Sequence, residues 1–234
     1  MPESTCVTRM DPRTARSRRL MRDALASEVE ATGDLARVTV GSITDRAGLT
    51  RRTFYSHYHD IADLVSQTED DVLRDLRGLV ADVASVRLED LYETIDELEP
   101  CPGSVELLEY FKANGHVLTA LLGQGGDPAF VEKIKVMVHE VVAGRALDGI
   151  DARALGAFFD YYLTFAISAE VGVLLRWLAG GMREGVDVMA RIMTLLMFVR
   201  PGDLYDNTMD FNIPAYGLAV MQRLINTEED SDDE

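Results

Sequence analysis

The sequence predicts an all-α protein with a small N-terminal three-helix region and a larger C-terminal helical region. Apolar residues recur at spacings of three and four along most of the chain, and no convincing stretch shows the period of two that is typical of strands. Glycine, proline and asparagine residues interrupt this helical pattern at several points. With 234 residues, 47% of them hydrophobic, the chain has the composition of a globular protein with a substantial core.

Charge divides the chain at about residue 60. The whole chain has 23 lysines and arginines against 40 acids. Residues 1–60 hold ten arginines and eight acids, so residues 61–234 hold 13 cations and 32 acids. Only the N-terminal quarter therefore has the charge to face a polyanion. We predict one domain over residues 1–60, a second over 61–227 and a solvated acidic tail over 228–234.

Cysteine usage and the N-terminal composition predict a cytoplasmic protein. Cys6 and Cys101 are far apart and form neither a disulfide framework nor a CxxC pair. The first 22 residues carry six arginines and lack the apolar stretch of a signal peptide. Charged residues also interrupt the longest apolar stretches, at Asp160, Glu170 and Arg176, so we expect no membrane span.

The first three helices are predicted from helical spacing and capping residues. Apolar residues recur at helical spacing over roughly residues 13–31, and a glycine follows. Thr39 is a suitable N-cap for a second helix, Val40–Ala47, which a glycine also ends. Thr50 can cap a third short helix within residues 51–58. Two short helices joined by a glycine turn form a helix-turn-helix.

The rest of the chain is predicted to be helical except for one stretch. A long helix begins near Asp60 and ends near Val86, where its apolar pattern fades. Residues 201–214 are rich in turn formers and are predicted to be irregular. The other predicted helices are Leu88–Leu98, Ser104–Ala113, His116–Gly123, Pro128–Leu147, Ala152–Ala179, Gly185–Val199 and Ala215–Asn226.

The third helix has the residue types of a helix that reads DNA. In a helix-turn-helix, this helix enters the major groove, so its outer side needs hydrogen-bond donors while its inner side packs on the preceding helix. Leu49, Phe54 and Tyr58 can serve as the buried anchors, and no acid occurs between Asp45 and Asp60. The polar positions are Thr50, Arg51, Arg52, Thr53, Tyr55, Ser56 and His57.

The order of residues from Thr39 to Leu64 resembles the DNA-binding region of the TetR family of transcriptional regulators. The resemblance covers roughly residues 13–65 and rests on the Ala47-Gly48 turn followed by Phe54-Tyr55 and His57-Tyr58 at fixed offsets. It implies that Arg51, Arg52 and Thr53 read bases. It also implies contacts to the phosphate backbone from Thr39, Thr50, Tyr55, His57 and Tyr58. One departure is Ile61, where the family usually has a lysine beside the DNA backbone.

The same resemblance implies a homodimer held by the last two long helices of each subunit. Both predicted helices have apolar stripes suited to such a bundle. The stretch Leu174–Met182 also weakly resembles a subgroup of regulators related to the dihydroxyacetone-kinase activator, whose members need not bind a small molecule themselves. The expected interface residues are Ala169, Val173, Trp177, Met189, Ile192, Leu195 and Leu196.

The resemblance further implies an effector pocket in the C-terminal region. Five aromatic residues fall within residues 158–165, where they can line a cavity or form plain core or interface. Because convergent cations are absent from these helices, an apolar or aromatic effector fits better than a highly charged one. The candidate lining residues are Tyr92, Tyr110, Phe111, His116, Phe130, Met137, Tyr161, Tyr162 and Phe165.

These features predict a DNA-binding transcriptional regulator, which the resemblance implies is a homodimeric repressor. Its expected partners are a double-stranded DNA operator, a second copy and a small-molecule effector. The alternative is a co-regulator that binds another protein without independent DNA binding, which Ile61 and the acidic body favour and the arginines oppose. We expect no enzyme, cofactor or metal, because His139-Glu140 lacks the second histidine of a zinc helix and no phosphate-binding glycine motif occurs.

Overall fold

Nine α-helices and no strand make up the described part of the chain. The computed structural model describes residues 11–86, 94, 97, 99–146 and 152–197. This architecture confirms the predicted all-α class. The helices are α1 Pro12–Thr32, α2 Val40–Ala47, α3 Arg51–Tyr55, α4 Ile61–Val83, α5 Ser104–Ala113, α6 Gly115–Leu122, α7 Pro128–Ala146, α8 Ala152–Ala179 and α9 Val186–Leu196.

The helix limits agree closely with the predicted ones, and α3 is the main exception. It ends at Tyr55, because the backbone N–H groups of His57 and Tyr58 both donate to the carbonyl of Phe54 and form a turn. Several predicted features lie outside the described residues. These are the helix Leu88–Leu98 apart from residues 94 and 97, the irregular stretch 201–214, the helix Ala215–Asn226 and the acidic tail 228–234.

Local capping determines where α2 and α3 begin and where α2 ends. The Ser42 N–H donates to Thr39 Oγ1 at 3.1 Å and the Thr39 N–H donates to Ser42 Oγ at 3.2 Å, which forms a capping box. Gly48 ends α2 with φ of 64°, a left-handed conformation that glycine adopts without strain. The Thr53 N–H donates to Thr50 Oγ1 at 3.1 Å, so Thr50 caps α3. Each such cap is worth about 1 kcal/mol.

The first of two compact units contains residues 11–72 and 114–131. The domain boundary expected at residue 60 stays a prediction. Its core includes the fully buried side chains of Met21 and Leu25 from α1 and of Leu118 from α6. The loop after α6 also joins this unit, because the Leu35 N–H donates to the Gly125 carbonyl at 2.8 Å.

The second unit contains residues 73–113 and the described residues from Glu132 onward. Its α5 packs on α9. The Cys101 N–H donates to the buried Thr194 Oγ1 at 2.8 Å, and Arg191 Nη2 lies 2.9 Å from Glu99 Oε2. These contacts attach the segment before α5 to α9.

Glu170 of α8 is a carboxyl group in an apolar setting of the second unit. Its Oε2 is buried and accepts no hydrogen bond from the described part of the chain. Burial raises the pKa of Glu170 from 4.5 to about 7, because desolvation disfavours the charged form. Protonated Glu170 is therefore favoured in the folded state, and the protein loses stability as the pH rises from about 4.5 to about 7.

We expect Glu170→Gln to stabilise the protein at pH 8 and to change its stability little at pH 4.5. The neutral amide avoids the cost of ionising a buried carboxyl group, which we place at about 1 to 2 kcal/mol because the side chain is only partly buried. Denaturant unfolding at the two pH values measures the difference. The matched control is Glu109→Gln, at an exposed position of α5. A stabilisation by Glu170→Gln that is the same at both pH values would contradict the explanation.

One segment of α8 departs from the expectation of no membrane span. Phe158–Ala179 is long and apolar enough to cross a membrane by length and composition alone, with a mean hydropathy of 1.4. The mostly buried core helix of a soluble protein passes the same test, whereas only 17% of this segment's apolar window is buried. Glu170 and Arg176 interrupt the segment, and an exposed apolar face of this kind also suits contact between subunits.

Candidate nucleic-acid interface

Helix α3 has two exposed arginines and is held in place by a buried aromatic side chain. Arg51 and Arg52 are exposed, whereas Phe54 is fully buried. Tyr55 is 59% exposed and its ring packs edge-on against Phe54, with the centroids 5.6 Å apart. The helix therefore has an inner side that packs and an outer side that offers donors to a ligand.

Two of the predicted phosphate-contacting residues, Thr39 and Thr50, lie at the N-terminal ends of α2 and α3. Thr39 and Thr50 are both exposed caps. A Cβ atom added at Gly41 would lie 3.3 Å from Arg51 Nη2 and 3.7 Å from Thr39 Oγ1, so these groups are neighbours. Helix N-termini carry partial positive charge and suit phosphate oxygens. Thr53, Ser56 and His57 complete the predicted set, with Ser56 exposed and the other two half-buried.

Tyr58 is placed differently from the other predicted contacts. It is only 4% exposed, and its ring centroid lies 5.7 Å from that of Phe54. Burial raises the pKa of Tyr58 above its ordinary value. The side chain is thus a core anchor in this structure, as its apolar ring allows, and it does not lie on the surface where a phosphate would bind.

An open groove of about 470 Å³ lies beside the turn between α2 and α3. Arg13 and Arg16 of α1 are exposed and line one side of it, and the turn residues Gly48 and Leu49 line the other. The groove adds cationic surface next to the exposed face of α3.

Arg46 and Arg18 both pair with other side chains of the first unit. Arg46 Nε donates to Glu28 Oε1 at 2.5 Å, and this hydrogen bond lowers the pKa of Glu28. Arg18 Nη2 donates to Gln67 Oε1 of α4 at 2.9 Å. The helical spacing could have indicated that Arg18 faces inward. Arg18 lies three residues before the buried Met21 and seven before the buried Leu25, on the same side of α1.

The residues expected to line an effector pocket are dispersed. Tyr161 and Phe165 are each 72% exposed and Tyr162 is 47% exposed, so these three do not line a cavity within the described part of the chain. Tyr110 is half-buried and donates to Asp75 Oδ2 at 3.2 Å, while His116 is exposed. Tyr92 lies outside the described residues. The buried members of the set are Phe111, Phe130 and Met137.

The residues expected at a dimer interface divide into two groups. Trp177 and Met189 are buried within their own chain, and the Trp177 Nε1–H donates to the Glu184 carbonyl at 3.2 Å. Both side chains therefore pack within their own chain, and their contact with a partner stays a prediction. Val173 is half-buried. The exposed members are Ala169, Ile192, Leu195 and Leu196.

Histidines of the described chain form pairwise contacts and no metal cluster. His139 Nε2 lies 3.0 Å from Asp160 Oδ1, and His116 Nε2 lies 3.4 Å from Ser27 Oγ. Among the residues that the structure describes, no group of three or more His, Cys, Asp or Glu side chains is placed to hold a metal ion.

Comparison with known proteins found a family model that matches part of the sequence and solved structures with a similar fold. Residues 99–198 match the family model TetR_C_8, described as a transcriptional regulator C-terminal region. The structure is similar to that of a TetR transcriptional regulator from Streptococcus agalactiae, with a TM-score of 0.51 and 19% identity over 79% of this chain and 95% of that one. A TetR family transcription regulator from Marinobacter aquaeolei aligns over the same shares, with a TM-score of 0.47 and 16% identity. No curated protein matches the sequence.

Proposed function

We propose that this chain is a TetR-family transcriptional regulator that binds duplex DNA sequence-specifically as a homodimer, which the match of its C-terminal region and its fold support. Regulators of this family are DNA-binding proteins without enzymatic activity, in agreement with the expectation from the sequence. The observation that carries the proposal is the exposure of Arg51 and Arg52 on a short helix whose inner side is anchored by buried Phe54.

The exposed face of α3 suits direct reading of bases in the major groove. Arginine donates two parallel hydrogen bonds to O6 and N7 of guanine, and each good pair discriminates against a wrong base by about 1 to 3 kcal/mol. The exposed caps Thr39 and Thr50 and the arginines of the groove, Arg13 and Arg16, would then contact phosphates on either side. This division of roles supports specific binding and not only nonspecific attraction.

Exposed apolar residues on the last two helices support homodimerisation. Ile192, Leu195 and Leu196 leave large apolar surfaces exposed on α9, and Tyr161 and Phe165 do so on α8. Large exposed apolar patches are rare on monomers and mark contact sites. In a symmetric dimer, two copies of α3 would read half-sites about 34 Å apart, one DNA turn.

We further propose that the protein represses transcription by occupying its operator and that an apolar or aromatic effector shifts this occupancy. A ligand acts by favouring one of two spacings between the DNA-reading heads. Helix α4 contributes residues to both compact units, which makes it the element through which such a change would pass. Phe111 and Met137, both buried in the second unit, support an apolar lining.

Selection of bound sequences from random duplex DNA tests the proposal. We expect the selected sequence to be palindromic and to bind at least about 10³-fold tighter than a scrambled duplex at the same salt concentration. Without any enriched sequence, the co-regulator that binds another protein would replace DNA binding as the preferred function.

A further inference from the structure

Arg18 of α1 turns away from the exposed cationic surface and contacts two other elements of the first unit. Its side chain is 28% exposed, and Nη2 donates to Gln67 Oε1 of α4 at 2.9 Å. The same nitrogen lies 3.8 Å from Asp71 Oδ2, and the guanidinium carbon lies 5.7 Å from the centroid of the Tyr58 ring. One side chain thus joins α1, α4 and the turn that follows α3.

The contacts continue through α4 and return to the same turn. Gln67 Nε2 donates to Asp63 Oδ1 at 2.9 Å, and the His59 N–H donates to Asp63 Oδ2 at 2.8 Å. The two hydrogen bonds lower the pKa of Asp63, so it stays ionised in its acceptor role. His59 directly follows Tyr58 in the chain. The hydrogen bonds from Arg18 to Gln67, from Gln67 to Asp63 and from His59 to Asp63 therefore connect Arg18 to the turn that contains Tyr58.

Helix α3 depends on such contacts for its orientation. It has five residues, too few to be stable alone, so its direction is set by the anchors Phe54 and Tyr58. Phe54 is held by the apolar core. The Tyr58 ring contacts both the Phe54 ring and the guanidinium of Arg18. A change at Arg18 therefore acts on Tyr58, which follows the C-terminal end of α3. It thereby affects the direction of the helix whose first two residues are Arg51 and Arg52.

We propose that Arg18 is a positioning residue for base reading, which aligns α3 through Tyr58 and α4 and makes no phosphate contact itself. This inference rests on the proposed DNA binding. Bidentate contacts from Arg51 and Arg52 tolerate little misplacement, because both hydrogen bonds must align with one base edge. Loss of the Arg18 contacts lowers discrimination between sequences and leaves the electrostatic attraction to DNA in place.

The test compares Arg18→Met with the matched variant Arg16→Met from the exposed side of the same helix. Each protein is titrated with the selected duplex and with its scrambled counterpart at several salt concentrations. For Arg18→Met, we expect the ratio of the two affinities to fall about tenfold with an unchanged salt slope. For Arg16→Met, we expect the salt slope to fall by about 0.9, the value for one lost phosphate contact, with an unchanged ratio.

A second variant probes the same path from a position that carries no cation. Gln67→Leu removes the acceptor of Arg18 and is expected to lower the affinity ratio with an unchanged salt slope. The double variant is expected to be no worse than Arg18→Met, because both changes break one path. Arg18→Lys keeps the charge and should recover part of the ratio. Circular dichroism and thermal melting confirm that each variant is folded at the titration temperature.

The outcomes distinguish failure of the positioning role of Arg18 from failure of the proposed DNA binding. A fall in the salt slope for Arg18→Met equal to that for Arg16→Met would show a phosphate contact and overturn the positioning role alone. An unchanged affinity ratio in folded Arg18→Met and Gln67→Leu would also overturn it alone. If the wild-type protein itself shows no preference between the two duplexes, the proposed function fails and the positioning role fails with it.

Discussion

Leu195→Glu is expected to convert the dimer to a monomer and to lower operator affinity at least about 100-fold. Leu195 is 45% exposed on α9, beside the exposed Ile192 and Leu196. In a symmetric interface the change places two carboxylates in apolar surroundings, and each costs several kcal/mol unless paired. A monomer also loses the gain in affinity of about 10² to 10⁴ that comes from binding two linked half-sites. Analytical ultracentrifugation at micromolar concentration and titration with the selected duplex measure the two effects.

Val136→Glu is the matched control for this change. Val136 is also an exposed apolar residue, 57% exposed, but it lies on α7 and outside the proposed interface. The control variant should remain dimeric and keep its affinity for DNA. A dimeric mass for Leu195→Glu at micromolar concentration would place the subunit contact elsewhere, and a monomeric mass for the wild-type protein would remove the dimer from the proposal.

Arg51→Ala and Arg52→Ala are each expected to weaken binding to the selected duplex by about 1 to 3 kcal/mol. The corresponding loss in affinity is about 5- to 150-fold. Binding to the scrambled duplex should change much less, because only the selected duplex offers the correct base edges. Both arginines are exposed, so neither change removes a buried contact that would unfold the protein. Fluorescence titrations with the two duplexes measure the affinity ratio directly.

Arg13→Ala provides the comparison for these two variants. Arg13 lines the groove beside the turn and is proposed to contact phosphate, so its loss should weaken both duplexes equally. Equal losses on both duplexes for Arg51→Ala and Arg52→Ala as well would show that α3 contacts only the DNA backbone. The base-reading role would then have to pass to another element.

Most of the helix limits were predictable because their signals are local. Thr39 and Thr50 are small polar residues that accept hydrogen bonds from the first turn of the next helix, and Gly48 adopts the left-handed conformation that ends α2. Such contacts span a few residues and depend little on the rest of the fold. The alternation of buried and exposed residues in α3 was predictable for the same reason, since Phe54 lies between polar neighbours.

The sequence did not predict which aromatic side chains of α8 are buried and which are exposed. Tyr161, Tyr162 and Phe165 occupy more than one side of the helix, so their spacing fits a cavity lining, a core or an interface equally well. The structure leaves all three exposed, which favours the interface. Trp177, also apolar, was expected at the interface, yet it is buried within its own chain. An apolar residue type indicates that a side chain will be covered but does not indicate which surface covers it.

By itself, the sequence determined the helical class, the order and most of the limits of the described helices, and the exposed arginines of α3, because periodicity and capping act within a few residues. Tertiary structure alone decided that Arg18 pairs with Gln67, that Tyr58 is buried, and that α6 joins the first unit. Each of these depends on contacts between residues distant in the chain. Such contacts follow from how whole helices pack, and no local pattern encodes that packing.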